Sequence, residues 1–346
     1  KSHLRISSPP FMRLVSLAGI LGALLTAGCS GDSRIPHDPK SSLVDLVSGE
    51  RAYEHVAALV DFGPRPAGSD ALEASRTYIE RELEKVGWVV QRQSFTDETH
   101  QGAVEFVNLR ARFGNAGGDE PVIGLLATHY DSKLYDSFDF VGANDGGSST
   151  ALVIELARVL AERPEAFRGI ELVFFDGEEA FGPNITSTDG LFGSRYYAKQ
   201  WLLEEKKERP DWGVLLDMVG DRNLKIRAGV QIPGDSLQDL AENKETSGYV
   251  IDIYEVKTAL NEMSRQLLKA ATDLGYKSEV GISSNYIIDD HIPLNVSAGI
   301  PTINLIDTDY GYWHTPGDTI DKISAQSLEV SGRLTLQYIE KYLLRR

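Results

Sequence analysis

Four apolar runs stand out along this chain: Val122–Thr128, Ile170–Phe175, Trp212–Met218 and Thr302–Ile306. Each has strand length and lacks the alternation of a sheet with one wet face, which predicts strands buried on both sides. Between them lie segments of helical period. Asp70–Val86 places Leu72, Tyr78, Ile79, Leu83 and Val86 near one face, with Asp70 as its N-cap and Gly87 as its stop. Gly147–Ala161, Gly193–Leu203, Thr258–Leu274 and Ser324–Leu344 read the same way, while Trp88–Phe95 and Val104–Phe113 add two strand-like runs ahead of the others. Strands separated by helical crossovers predict an α/β fold: a single globular domain with a mostly parallel, mixed central sheet flanked by helices. In sheets of that kind, chemistry gathers just beyond the carboxyl ends of the strands.

Charge narrows the partners. The 35 Lys and Arg are outnumbered by 51 Asp and Glu, for a formal charge of −16, so no nucleic-acid partner is expected. One cysteine, Cys29, excludes an internal disulfide and a thiolate-built zinc site. Arg13 precedes an uncharged, mostly apolar run of 15 residues, Leu14 to Gly28, which closes on Leu25-Thr26-Ala27-Gly28-Cys29. The run is short for a membrane span and reads as a secretory signal. Its end resembles a bacterial lipoprotein lipobox, with Met12 as the start and Cys29 as the lipidated residue. Residues 1–28 are thus expected to be an upstream segment plus signal peptide, 29–43 a lipid-anchor tether, and 44–346 the catalytic domain. The expected location is the bacterial envelope, with the protein exported and held at the membrane through its lipid. Loss of residues 1–28 removes Lys1, Arg5 and Arg13 and leaves the remainder at −19.

The strand ends carry the polar residues. GLLAT runs into His129-Tyr130-Asp131, where residues two apart face the same way in extended backbone. Gly142-Ala143-Asn144-Asp145-Gly146-Gly147 is a tight turn that presents Asp145 at a helix start; by itself this reads equally well as a cap. After Phe174-Phe175-Asp176-Gly177 come two adjacent carboxylates, Glu178 and Glu179, costly to crowd together unless a cation or a shared proton offsets their repulsion. Asp217 ends another apolar strand. Asp289-Asp290-His291 follows, and Trp313-His314-Thr315-Pro316-Gly317-Asp318-Thr319 lies near the C-terminus. Singly each is weak; together they supply carboxylate and imidazole donors suited to zinc. Gly234-Asp235-Ser236-Leu237 matches a serine-hydrolase tetrapeptide but lacks an assignable histidine partner.

The motif order HYD, GANDGG, FFDGEEAF, GLFGSRYYA, LLDMVGD, DDHIPL, GIPTINLI and WHTPGDT resembles the zinc-dependent aminopeptidase superfamily, and within it the glutaminyl-peptide cyclotransferases, over roughly residues 50–345. Asp289 stands where aminopeptidases usually have Ser, and Trp313 where they often have Tyr. The resemblance implies one Zn²⁺ held by Asp145, Glu179 and His314, with Glu178 as acid and base, Asp217 and Asp289 as a proton-sharing shell, and Trp313 as the substrate-binding wall. Peptide or protein N-termini would be the substrates, glutamine closing to pyroglutamate with loss of ammonia, and no partner protein is implied. The alternative is an aminopeptidase holding two zinc ions, with His129 and Asp217 as additional ligands, water as the nucleophile and Glu178 again the base. The ligand inventory alone leaves both open.

Overall fold

The computed structural model describes residues 42–114, 120–203, 208–232 and 251–344. The signal and residues 29–41 of the expected tether, Cys29 among them, therefore lie outside the described residues, as does Gly234–Leu237, whereas the last two tether residues belong to the folded body: Ser42 caps a short 3-10 helix, Leu43–Leu46, and Leu43 is buried. Among the described residues eight strands, β1 (Trp88–Thr99), β2 (Gly102–Phe113), β3 (Gly124–His129), β4 (Ile170–Phe175), β5 (Trp212–Asp217), β6 (Ile226–Gly229), β7 (Val280–Ile282) and β8 (Thr302–Ile306), form one sheet in the order β1-β2-β4-β3-β5-β8-β6-β7. The four runs singled out by their unbroken apolarity are β3, β4, β5 and β8, and these form the parallel centre. The β1–β2 hairpin is antiparallel and longer than its apolar stretches, and β6 and β7 close the other edge.

The helices are α1 (Gly49–Asp61), α2 (Asp70–Lys85), α3 (Gly147–Leu160), α4 (Pro164–Phe167), α5 (Phe192–Leu203), α6 (Ile253–Leu274), α7 (His291–Pro293) and α8 (Ala325–Tyr338). Alternate residues of the central strands feed two cores, which explains why their sequences show no period of two. Leu126, Leu172, Phe174, Val214, Leu216, Ile303 and Leu305 pack with α1, α2, α3, α6 and α8. Leu125, Ala127, Val173, Phe175 and Leu215 pack with Tyr197, Ala198 and Trp201 of α5 and with Leu294, Ala298 and Ile300.

Local chemistry corrects several boundaries. The N-cap of α2 is Ser69, whose hydroxyl accepts from Leu72 N–H at 3.1 Å, so Asp70 is the first helical residue instead. Its acid still favours the positive end of the helix. Helix α6 begins at Ile253, five residues before the expected Thr258, because Asp252 caps it by accepting from Tyr254 and Glu255. Helix α1 follows a Ser48 cap.

Helix α5 approaches the end of β4 at Gly193, whose N–H donates to Asp176 O at 3.0 Å. A Cβ there would lie 2.5 Å from that oxygen and 2.3 Å from Asn108 Oδ1, and both are buried. Gly193→Ala is expected to push the strand end away, costing about 1–3 kcal/mol; chemical denaturation that shows no loss would contradict this contact.

Candidate active site

The parallel strands β3, β4, β5 and β8 deliver their carboxyl ends to one cleft of about 430 Å³. Lys133, Asp145, Glu178, Glu179, Asp217 and Asp289 line it together with Trp313 and His314. His129 sits beneath, fully buried, with Nε2 3.2 Å from Asp217 Oδ1 and 3.4 Å from Asp145 Oδ1. On the other side of Asp145, His314 Nε2 lies 3.4 Å from Asp145 Oδ2 and 3.3 Å from Glu179 Oε1. Two donor groups result, His129/Asp145/Asp217 and Asp145/Glu179/His314, each with ligand atoms within 4.8 Å of one another and sharing Asp145.

These residues fit a divalent cation. Asp145 Oδ2 and Glu179 Oε1 are buried and make no hydrogen bond, an expensive state for carboxylate oxygens unless something positive faces them. The turn before α3 explains how Asp145 comes to point inward. The N-cap position belongs to Gly146, at φ +72°, and no side chain caps the helix, so the cap reading of Asp145 is set aside. A Cβ at Gly146 would stand 2.7 Å from Asp131 O and 2.9 Å from the His129 ring. Among the described residues the three non-glycines with positive φ are Leu191, Met218 and His314. Met218 follows Asp217 and His314 is itself a candidate ligand, which places backbone strain at the site.

Glu178 and Glu179 both line the cleft, and the charge of Glu179 acts on Glu178. Their two N–H groups both donate to Asp131, at 3.2 Å each, and Asp131 Oδ1 also lies 3.4 Å from His129 Nδ1. Lys133 donates to Ala180 O at 2.6 Å and reaches within 3.7 Å of Glu179 Oε2. A second carboxylate of the Asp131 kind closes the next loop: Asp189 accepts from Phe181 N–H at 3.0 Å and Gly182 N–H at 2.8 Å. Pro183, Asn184 and Ile185 of that loop form one wall of the cleft. Trp313, 54 % exposed, stacks on His314 with ring centroids 4.1 Å apart and also lines the cleft.

Burial first, and then the negative charges of Glu179, Asp289 and Asp290, hold the Glu178 carboxyl well above its usual range despite His129 nearby. Burial and then Asp217 and Asp290 do the same to Asp289, which accepts from Asn304 Nδ2 at 2.6 Å and from Asp290 N–H at 2.5 Å. Asp217 is raised by burial and by Asp145 against the opposing pull of His129. For Asp145 burial also opposes ionisation, but His129 and His314 outweigh it and its carboxyl is lowered. His129 is raised because Asp131, Asp145 and Asp217 outweigh its burial. His291 differs: burial alone pushes it down to about 3, so it is a neutral core histidine. Asp290 is held at about 7 by burial and by Asp131 and Asp217.

Every residue nominated from the sequence at this site is therefore near the cleft. Sequence reasoning missed Lys133, four residues after His129, and also Tyr310 and Asn304.

The model of peptidase family M28 matches residues 108–339, a span that holds both donor groups. The chain belongs to peptidase family M28. Among its relatives is the glutaminyl-peptide cyclotransferase of Drosophila melanogaster, 32 % identical over 297 residues that cover 80 % of this chain and 77 % of the relative. In structure it is similar to the glutaminyl cyclase of an Acidobacteriales bacterium, with TM-score 0.70, 29 % identity and coverage of 90 % of this chain and 98 % of that one. A Zn-dependent exopeptidase from Parabacteroides distasonis is also similar, with TM-score 0.68, 26 % identity and coverage of 87 % and 99 %. The M28 scaffold thus carries both cyclases and exopeptidases, and the choice of reaction rests on the site.

A raised carboxyl binds more protons in the folded than in the unfolded chain, so its contribution to stability falls as pH rises above the unfolded value of about 4.3 for glutamate. Glu178→Gln removes that penalty. The metal-free variant should melt higher than the metal-free parent at about pH 8, with the gain vanishing near about pH 4; thermal scans at both pH values check the sign.

Proposed function

We propose that this chain is a zinc-dependent glutaminyl-peptide cyclotransferase, converting N-terminal glutamine of peptides and proteins to pyroglutamate with release of ammonia. The observation that carries this reading is the trio Glu178, Asp217 and Asp289, buried together with raised carboxyls beside the ligand group of Asp145, Glu179 and His314. The relatives named above support it.

One Zn²⁺ held by Asp145, Glu179 and His314 would supply Lewis-acid polarisation of the γ-carbonyl. The remaining work falls to the chain. The substrate's α-amine attacks the γ-carbonyl carbon, forming the ring C–N bond. Glu178, ionised at that moment, takes the proton the amine sheds and passes it to the amide nitrogen, which leaves as ammonia when its C–N bond breaks. A carboxyl raised by burial, and so ready both to hold and to release a proton, suits both halves of that transfer. Asp217 and Asp289 share protons with the cluster, so the negative charge around Glu178 stays limited while it works. Trp313 and the 183–185 wall enclose the side chain and keep water from competing.

A second reading has an observation of its own: the His129/Asp145/Asp217 group can hold a second ion, giving an aminopeptidase that uses water. Purified protein with zinc should turn a Gln-initiated peptide into a product lighter by one ammonia and leave a Leu-initiated peptide intact. Freed leucine, with about two metal equivalents rather than one, would transfer the case to the peptidase. Glu178→Gln should abolish turnover by at least about a hundredfold while zinc stays bound.

We further propose that the protein is exported and anchored through a lipid on Cys29, on the strength of the Leu14–Cys29 pattern. Cys29→Ser should shift the protein from the membrane to the soluble fraction of fractionated cells. Membrane retention of the variant would remove the anchor assignment.

A further inference from the structure

Asp318 lies four residues after His314, is buried, and does not line the cleft. Its Oδ1 accepts from Asn144 N–H at 2.8 Å, its Oδ2 from Asp145 N–H at 3.1 Å, and its own carbonyl from Ala143 N–H at 3.3 Å. Three successive N–H groups of the turn that carries Asp145 therefore end on one residue more than 170 positions away in sequence. Tyr310, at the start of the same loop, donates its hydroxyl to Asp318 Oδ1 at 2.6 Å. The opposite side of the turn is tied as well: the buried Arg65 guanidinium donates to Val141 O at 2.6 Å and Gly142 O at 3.2 Å.

We propose that Asp318, buttressed by Tyr310, is a positioning residue that locks the Asp145 turn and the His314 loop into one unit, so that both ligands stand ready before the cation arrives. This rests on the metal assignment proposed above. The chemistry demands a carboxylate. Both oxygens must accept, one from each neighbouring peptide N–H, and an amide in the same place offers one oxygen and turns an NH₂ toward the other donor. The displaced peptide would swing Asp145 away from His314, and such partners behind a ligand typically govern about 10–100-fold in metal affinity.

Asp318→Asn in the full chain tests this by zinc affinity, measured in competition with a chromophoric chelator, and by melting temperature with and without zinc. The expected result is zinc affinity about 10–100-fold weaker and a smaller zinc-induced rise in melting temperature. A merely structural residue would lower both melting temperatures together and leave the rise intact. Zinc affinity within about twofold of the parent, with the rise unchanged, overturns the proposal. Should Asp318→Asn not fold, Tyr310→Phe removes only the hydroxyl. It is expected to weaken zinc about threefold, and an unchanged affinity overturns the proposal equally. If the parent itself takes up no zinc, the ligand assignment falls and this inference falls with it.

Discussion

Mutual repulsion among buried carboxylates is the constraint to which the rest of this molecule answers. Asp145, Glu178, Glu179, Asp217 and Asp289 share one cleft, and none is more than slightly exposed. Water cannot screen them there, so each must be neutralised by a proton, an imidazolium or a metal. The fold sorts them accordingly. Asp145 lies between two histidines that outweigh its burial and lower its carboxyl, whereas burial first, and then neighbouring negative charge, raises the carboxyls of Glu178 and Asp289. That division separates a carboxylate favoured in its charged form from carboxyls favoured in their neutral form.

The scaffold creates the crowding and then makes it tolerable. Four parallel strands aim their ends at one point, and the loops that follow are fastened by buried aspartates that accept from pairs of peptide N–H groups. Asp131 fastens Glu178 and Glu179, Asp189 fastens Phe181 and Gly182, and Asp318 fastens Asn144 and Asp145. Charge-assisted bonds to the main chain are stronger than neutral ones, and they leave the functional side chains unencumbered.

The central strands could be read from the sequence because burial on both faces leaves an uninterrupted apolar run, and the polar residues at their ends marked the cleft for the same reason. Strands β6 and β7, of four and three residues, carry no period to detect, and the cap that starts α6 at Asp252 was missed because the first turn, apolar at Ile253 and Tyr254, stands largely exposed. His129, Asp145, Glu178, Glu179, Asp217, Asp289, Trp313 and His314 were all legible as chemistry-bearing residues. The residues behind them were not. Asp318 entered only as a member of the WHTPGDT motif with no role of its own, because its partners in the Asp145 turn are main-chain atoms of a distant segment that no residue type betrays. Lys133 was passed over because its carbonyl acceptor, Ala180, leaves no trace in residue type.

The loop between Phe181 and Gly190 has an evolutionary corollary. Asp189 grips its entry, Thr186 N–H bonds to Asp189 O at 2.9 Å within it, and Arg195 of the following helix takes the carbonyls of Thr186 and Ser187. The segment is thus stapled to itself and to α5, and none of its bonds falls on Asp145 Oδ2 or Glu179 Oε1. Its outer residues, Pro183 to Ile185, are free to be rewritten by selection while Glu178 and Glu179 stay where they are. Catalytic machinery and substrate taste can drift at separate rates, and paralogues of this chain should differ first in that short stretch.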